Sequence, residues 1–256
     1  MTDDKPGAES VVGGALQESI HYHGRKAARA KSETRRRKIL EAALEIAAHE
    51  GVRGIKHRPV AKLADVPLAS TTYYFKDIEE LIQDAFMLFA EKANRELEAF
   101  YSGLNGLIDR ALVRGSLHSL QGRERLAAEL ATYIAQYFVQ QIRDNTSSVL
   151  TEQAFLAEAM REPGLEPLAQ EYRKAWLDGV ESIMKRLGTH HPRRDAALLI
   201  SVVSGMGYDG LLFRERFSTS FVEETLQRVI GMLMGVAPAG GEVSAPETGN
   251  LNGTLY

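Results

Sequence analysis

At 256 residues, 44% of them apolar, the chain can bury one large core or two modest ones. It contains no cysteine, which excludes disulfides, thiolate metal sites and cysteine nucleophiles. The net charge of -3 gives no global attraction to nucleic acid, but the charge is unevenly spread. Between Arg25 and Lys62 twelve Lys or Arg face four Glu, a net of +8, which leaves -11 on the rest of the chain. A basic segment on an acidic remainder suits a phosphate-binding head carried by a body that is not one. The longest uninterrupted apolar stretch, 196–203, already contains Ser201, well short of the ~20 residues of a membrane span. The first twenty residues lack the basic start and apolar core of a signal peptide, so a cytoplasmic protein without membrane attachment is expected.

Residues 1–31 are rich in Gly, Ala, Ser and charge and have no helical or strand period, so a disordered basic arm is expected. Arg25, Lys26, Arg29 and Lys31 suit an arm that touches DNA, and a floppy tail accounts for them equally. His21 and His23 have no third ligand, and no metal site is expected. A first helix starts near Ser32 or Thr34, either of which can cap it. Ile39, Ala43 and Ile46 share one face, with Leu40, Leu44 and Ala47 beside them, and Gly51 closes the helix. Arg35, Arg36, Arg37 and Lys38 lie at its N-terminal end, where cations oppose the helix dipole. Backbone phosphates are the partners that would compensate.

Val60, Ala61 and Ala64 give a second, short helix its apolar stripe. Asp65-Val66-Pro67 breaks it, because Asp tolerates left-handed backbone and Pro67 is preset for the start of a third helix. That helix, Leu68 to about Tyr74, carries Ser70, Thr71 and Thr72 and then two tyrosines. The pattern is a helix-turn-helix. An ordinary corner of an all-α protein would account for these residues as well. Asp77-x-x-Glu80 reads as a capping box that opens a long helix to about Ala99, with Gly103 to Gly106 as a break.

With the first helix included, residues 34–81 resemble the N-terminal domain of TetR-family transcriptional regulators. The resemblance rests on Gly51-Val52, Val60-Ala61-x-x-Ala64, Asp65-Val66, Tyr73-Tyr74-Phe75 and Asp77-x-x-Glu80-Leu81, in gapless register. The chain departs from the family pattern at Lys56, Asp65, Thr71, Thr72 and Ile78. The resemblance implies an all-α fold: a helix-turn-helix head at 32–78, then a larger helical effector-binding and dimerisation domain at 79–236. It implies that Arg35, Arg36, His57, Arg58, Tyr73, Tyr74 and Lys76 meet phosphates or reach a base. Leu68, Ala69, Ser70 and Thr72 would line the major groove. Arg can chelate guanine, and Ser, Thr and Ala can read base edges or the thymine methyl. Phe75 is expected in the core.

From Arg123 onward the period is helical throughout. Apolar faces run through Leu126–Phe138, Val149–Met160, Leu168–Met184, Leu198–Phe213 and Phe221–Met234, broken at Pro163-Gly164 and Gly188. Residues 237–256 read as a disordered tail. Gly205-x-Gly207-x-x-Gly210 matches a dinucleotide fingerprint but lacks the strand and βαβ unit that motif needs, so no cofactor is expected. The resemblance instead implies a homodimer interface on the last two helices, at Ala197, Ser201, Gly205, Tyr208, Leu212, Leu226 and Ile230. It also implies a small-molecule effector pocket, for which Phe86, Phe89, Tyr133, Tyr137, Phe138, Phe155, Trp176 and Met184 are the candidates. His190, His191 and Asp195 lack a nucleophile, and no enzyme is expected.

The expectation is a ligand-responsive repressor, dimeric on a palindromic operator in double-stranded DNA. The alternative is an all-α small-molecule-binding protein or enzyme without DNA binding.

Overall fold

The structure, a computed structural model, describes residues 22–24 and 30–236. Among them every regular element is helical: α1 Ala30–Glu50, α2 His57–Leu63, α3 Leu68–Tyr74, α4 Ile78–Val113, α5 Leu120–Asp144, α6 Thr146–Ala159, α7 Glu166–Leu187, α8 Pro192–Phe213 and α9 Thr219–Leu233. The expected tail and most of the expected arm lie outside the described residues.

The chain divides into two compact units. They do not follow the expected boundary at residue 78. Among the described residues, one takes 22–24, 30–99 and 145–176, the other 100–144 and 177–236. In the first, α1 buries Ile39, Leu40, Ala43, Ile46 and Ala47 in a core with Val60, Phe75, Leu81, Phe86, Phe155 and Tyr172. The Thr151 hydroxyl of α6 donates to Leu44 O of α1 at 3.3 Å, and Arg53 pairs with Glu158 at 2.9 Å. In the second unit α5 lies along α9, tied by a Thr132 Oγ1 bond to Glu223 Oε1 of 2.5 Å.

The helix ends follow local chemistry. Gly51 and Gly188 take positive φ after α1 and α7, as the left-handed closing residue requires. Asp77 caps α4 by accepting from Glu80 N at 2.9 Å, as expected. Glu80 returns the bond one residue further back than a standard capping box, to Lys76 N at 2.7 Å.

Gly103 does not break α4, which continues through it to Val113. Its missing side chain serves packing, since a Cβ there would overlap the hydroxyl of Tyr133. The Gly205–Gly210 stretch lies inside α8, which removes the dinucleotide reading. The expectation about apolar length needs correcting too. An 18-residue window within 192–216 has a mean hydropathy of 1.6, so by length and composition alone this helix is apolar enough to cross a membrane. One third of that window is buried.

Candidate nucleic-acid interface

Helices α2 and α3 are joined by a turn whose geometry depends on one residue. Asp65 has φ +52, the left-handed region. Val66 N reaches back to Ala61 O at 3.0 Å and Asp65 N to Lys62 O at 3.3 Å, the paired bonds of a Schellman ending. Ser70 N then bonds Pro67 O at 2.8 Å and opens α3. Lys56, at the cap of α2, makes no side-chain capping bond, as its replacement of the family threonine implied.

Where the family pattern has leucine, Thr71 is fully buried. It satisfies its hydroxyl by donating to Leu68 O at 2.8 Å and by meeting His57 Nδ1 at 3.1 Å. A polar bond between α2 and α3 thus stands in for apolar contact. Phe75 is buried as expected.

The outer face keeps most of the expected set. Arg35, Arg58, Leu68, Ala69, Thr72 and Lys76 are exposed, and Ser70 is half-buried. Tyr73 and Tyr74 divide as two adjacent tyrosines on a short helix must: Tyr73 is 56% exposed and Tyr74 only 4%. Three expectations therefore change. The ring of Tyr74 fills the core and its hydroxyl meets Ser32 Oγ at 2.8 Å, so it faces away from any phosphate. Arg36 is buried and bound to Asp84 at 2.5 Å, because α1 turns that position inward against α4. His57 is half-buried and directs Nδ1 at Thr71.

The eight expected effector residues separate into two groups. Phe86, Phe89, Phe155 and Trp176 belong to the first unit and Tyr133, Tyr137, Phe138 and Met184 to the second. In the first unit Phe86 meets Phe155 edge-on at 5.1 Å and Tyr172 at 6.0 Å, and Trp176 lies 6.3 Å from Tyr172. Tyr172 Oη donates to Glu152 Oε1 at 3.1 Å. Burial raises the Glu152 carboxyl above its ordinary value, against the opposing pull of the Tyr172 bond and of Arg173. Burial, with Glu152 beside it, also raises the Tyr172 hydroxyl. Sequence reading missed Glu152 and Tyr172 as a pair, since a separation of twenty positions gives no signal that they meet. In the second unit Phe100 stacks on Tyr137 at 4.3 Å and on Tyr133 at 5.5 Å.

Of the expected dimer residues, Ala197, Ser201, Gly205, Tyr208 and Leu212 form one exposed stripe along α8. Tyr208 is 56% and Leu212 74% exposed. Leu226 and Ile230 do not belong with them. Both are buried in the core of their own unit, because α9 turns that face inward.

A helix-turn-helix with an exposed second helix, followed by a larger helical domain, defines the fold class: all-α, of the helix-turn-helix regulator type. Residues 121–232 match the family model described as "Tetracyclin repressor-like, C-terminal domain". No curated protein matches the chain. Among solved structures, a TetR-family member from Streptomyces coelicolor A3 is 24% identical, with 76% of this chain and 97% of that one covered and a TM-score of 0.50. The multidrug binding protein EbrR in complex with ethidium is 26% identical, covering 76% and 97% at a TM-score of 0.50. A putative TetR-family transcriptional regulator from Rhodococcus sp. is 22% identical, covering 78% and 99% at 0.54. Residues 121–232 thus match the C-terminal domain of tetracycline-repressor-like proteins, and the chain as a whole resembles TetR-family transcriptional regulators in fold.

Proposed function

We propose that the protein represses transcription by binding a palindromic operator as a homodimer, and that a small aromatic effector releases it. The observation that carries the DNA-binding part is the exposed face of α3 with Tyr73 and Lys76, beside Arg58 of the strongly basic stretch 25–62 that precedes it in an otherwise acidic chain. A single helix-turn-helix makes few contacts, and two related by a dyad read two half-sites. The exposed α8 stripe supports the dimer. Small residues at Ala197, Ser201 and Gly205 let a second copy of the helix approach closely, and Tyr208 and Leu212 supply apolar area. Such a helix is better covered by its own copy than by lipid, which fits a cytoplasmic regulator.

For the effector, EbrR supplies a probe, since ethidium is a planar aromatic cation. Here the Glu152 carboxyl beside Tyr172, Phe86 and Phe155 offers charge next to ring faces, the combination that attracts such cations. A ligand favouring the state whose heads are wrongly spaced would shift the population off DNA.

Selection of bound duplexes from a random pool tests the core of this reading. A symmetric consensus, with log K falling by ~0.9 for each phosphate neutralised as salt rises, is the expected result. Recovery of no enriched duplex would sink it. Ethidium fluorescence titration tests the effector class, with weaker binding expected in Glu152→Gln.

A further inference from the structure

Asp84 lies on α4 at 0% exposure and carries an unusually full set of donors. Arg36 Nη2 of α1 approaches its Oδ2 at 2.5 Å. The other donors are backbone amides from a segment sixty residues earlier in the chain: His23 N to Oδ1 at 2.6 Å and Gly24 N to Oδ2 at 2.9 Å. A buried carboxylate is costly unless each lone pair is met, and Arg36 alone leaves part of it unmet. The segment fits the notch in shape as well. A Cβ on Gly24 would stand 2.7 Å from Asp84 Oδ2 and 2.9 Å from a carbon of the Phe75 ring, so only glycine can lie there. Tyr22 closes the other side: its ring lies 4.6 Å from the Arg36 guanidinium, and its hydroxyl donates to Glu91 Oε2 at 2.6 Å. The Phe75 ring also lies 5.7 Å from the same guanidinium. Phe75 directly follows the recognition helix.

We propose that Tyr22-His23-Gly24 is a clasp, docked in an intramolecular site formed by Arg36, Phe75, Asp84 and Glu91, that holds the end of α3 in its DNA-reading position. The clasp joins α1, α4 and the residue after α3 through one buried ion pair. Without it, Asp84 loses two donors and Arg36 loses a ring, and the end of the recognition helix loosens. It acts by positioning and touches no phosphate. The functional half of this proposal rests on the DNA-binding reading above, and its structural half does not.

The test uses the full-length protein. Amide hydrogen exchange should show His23 and Gly24 protected roughly a hundredfold or more relative to an unstructured peptide, since both amides donate to the buried Asp84 carboxylate. In Gly24→Val, whose change lies outside the helical core, that protection should vanish while the protection of α5 and α9 persists. The affinity of Gly24→Val for the selected duplex should fall about tenfold if the head keeps its binding geometry a tenth of the time. The salt slope should stay that of the wild type. Tyr22→Phe, which keeps the ring over Arg36, should keep most of the wild-type affinity. Fast exchange at both amides in the wild type overturns the clasp outright. Undiminished affinity in an unclasped Gly24→Val overturns its role in positioning, and a shallower salt slope would make the segment a phosphate contact instead. If the wild type bound no duplex, the exchange result would still decide whether the clasp exists.

Discussion

Asp65 shows how one residue sets the angle between two helices. Its left-handed backbone is needed for the Schellman bonds that end α2, and aspartate adopts it at some cost. Asp65→Gly should therefore hold or raise stability, whereas Asp65→Val should lose about 1–2 kcal/mol in urea unfolding. The two tyrosines make a second contrast. Tyr73 is exposed and Tyr74 is packed. Tyr74→Phe should cost about 1 kcal/mol of stability through the lost Ser32 bond, with duplex affinity at matched salt nearly unchanged. Arg58→Ala should leave thermal stability intact and weaken the selected duplex by about 1–3 kcal/mol, measured by titration.

At the level of elements, glycine spacing decides how closely helices approach. Gly103 on α4 lies under Tyr133 of α5, whose hydroxyl donates to Phe100 O at 3.3 Å. Gly103→Val should cost about 1–3 kcal/mol by overpacking. Gly103→Val with Tyr133→Ala should recover part of it, the non-additivity expected of residues in contact. A glycine read along the sequence as a break is here a packing surface, and nothing local separates the two uses. Helix α9 teaches the same lesson. Its period was plain, and which of its faces meets α5 was not.

For the molecule as a whole, two further outcomes follow. Glu152 has a folded carboxyl raised above its ordinary 4.5 by burial, so the folded state holds that proton more tightly than the unfolded chain does. Stability from this group is present in full below 4.5 and declines as pH rises through the folded value. Glu152→Gln should therefore melt at a higher temperature than the wild type at neutral pH, and the gain should shrink as pH falls toward 4.5 and be gone below it. The exposed α8 stripe predicts self-association. Leu212→Glu should shift the dimer to monomer in sizing and light scattering at micromolar concentration, and weaken the palindromic duplex far more than a half-site.

Local chemistry was enough to reveal the helices, the turn at Asp65, the capping at Asp77 and the all-α class, because period, punctuation and caps act within a few residues. It also identified most of the exposed face of α3 through family likeness. What it could not reveal was the direction in which each helix face turns. Arg36 inside and Arg35 outside, Tyr74 buried and Tyr73 exposed, Leu226 and Ile230 in the core, Glu152 against Tyr172, and Tyr22–Gly24 on Asp84 all depend on contacts between distant segments. Burial is a property of what an element packs against, and that partner is chosen only when the chain has folded.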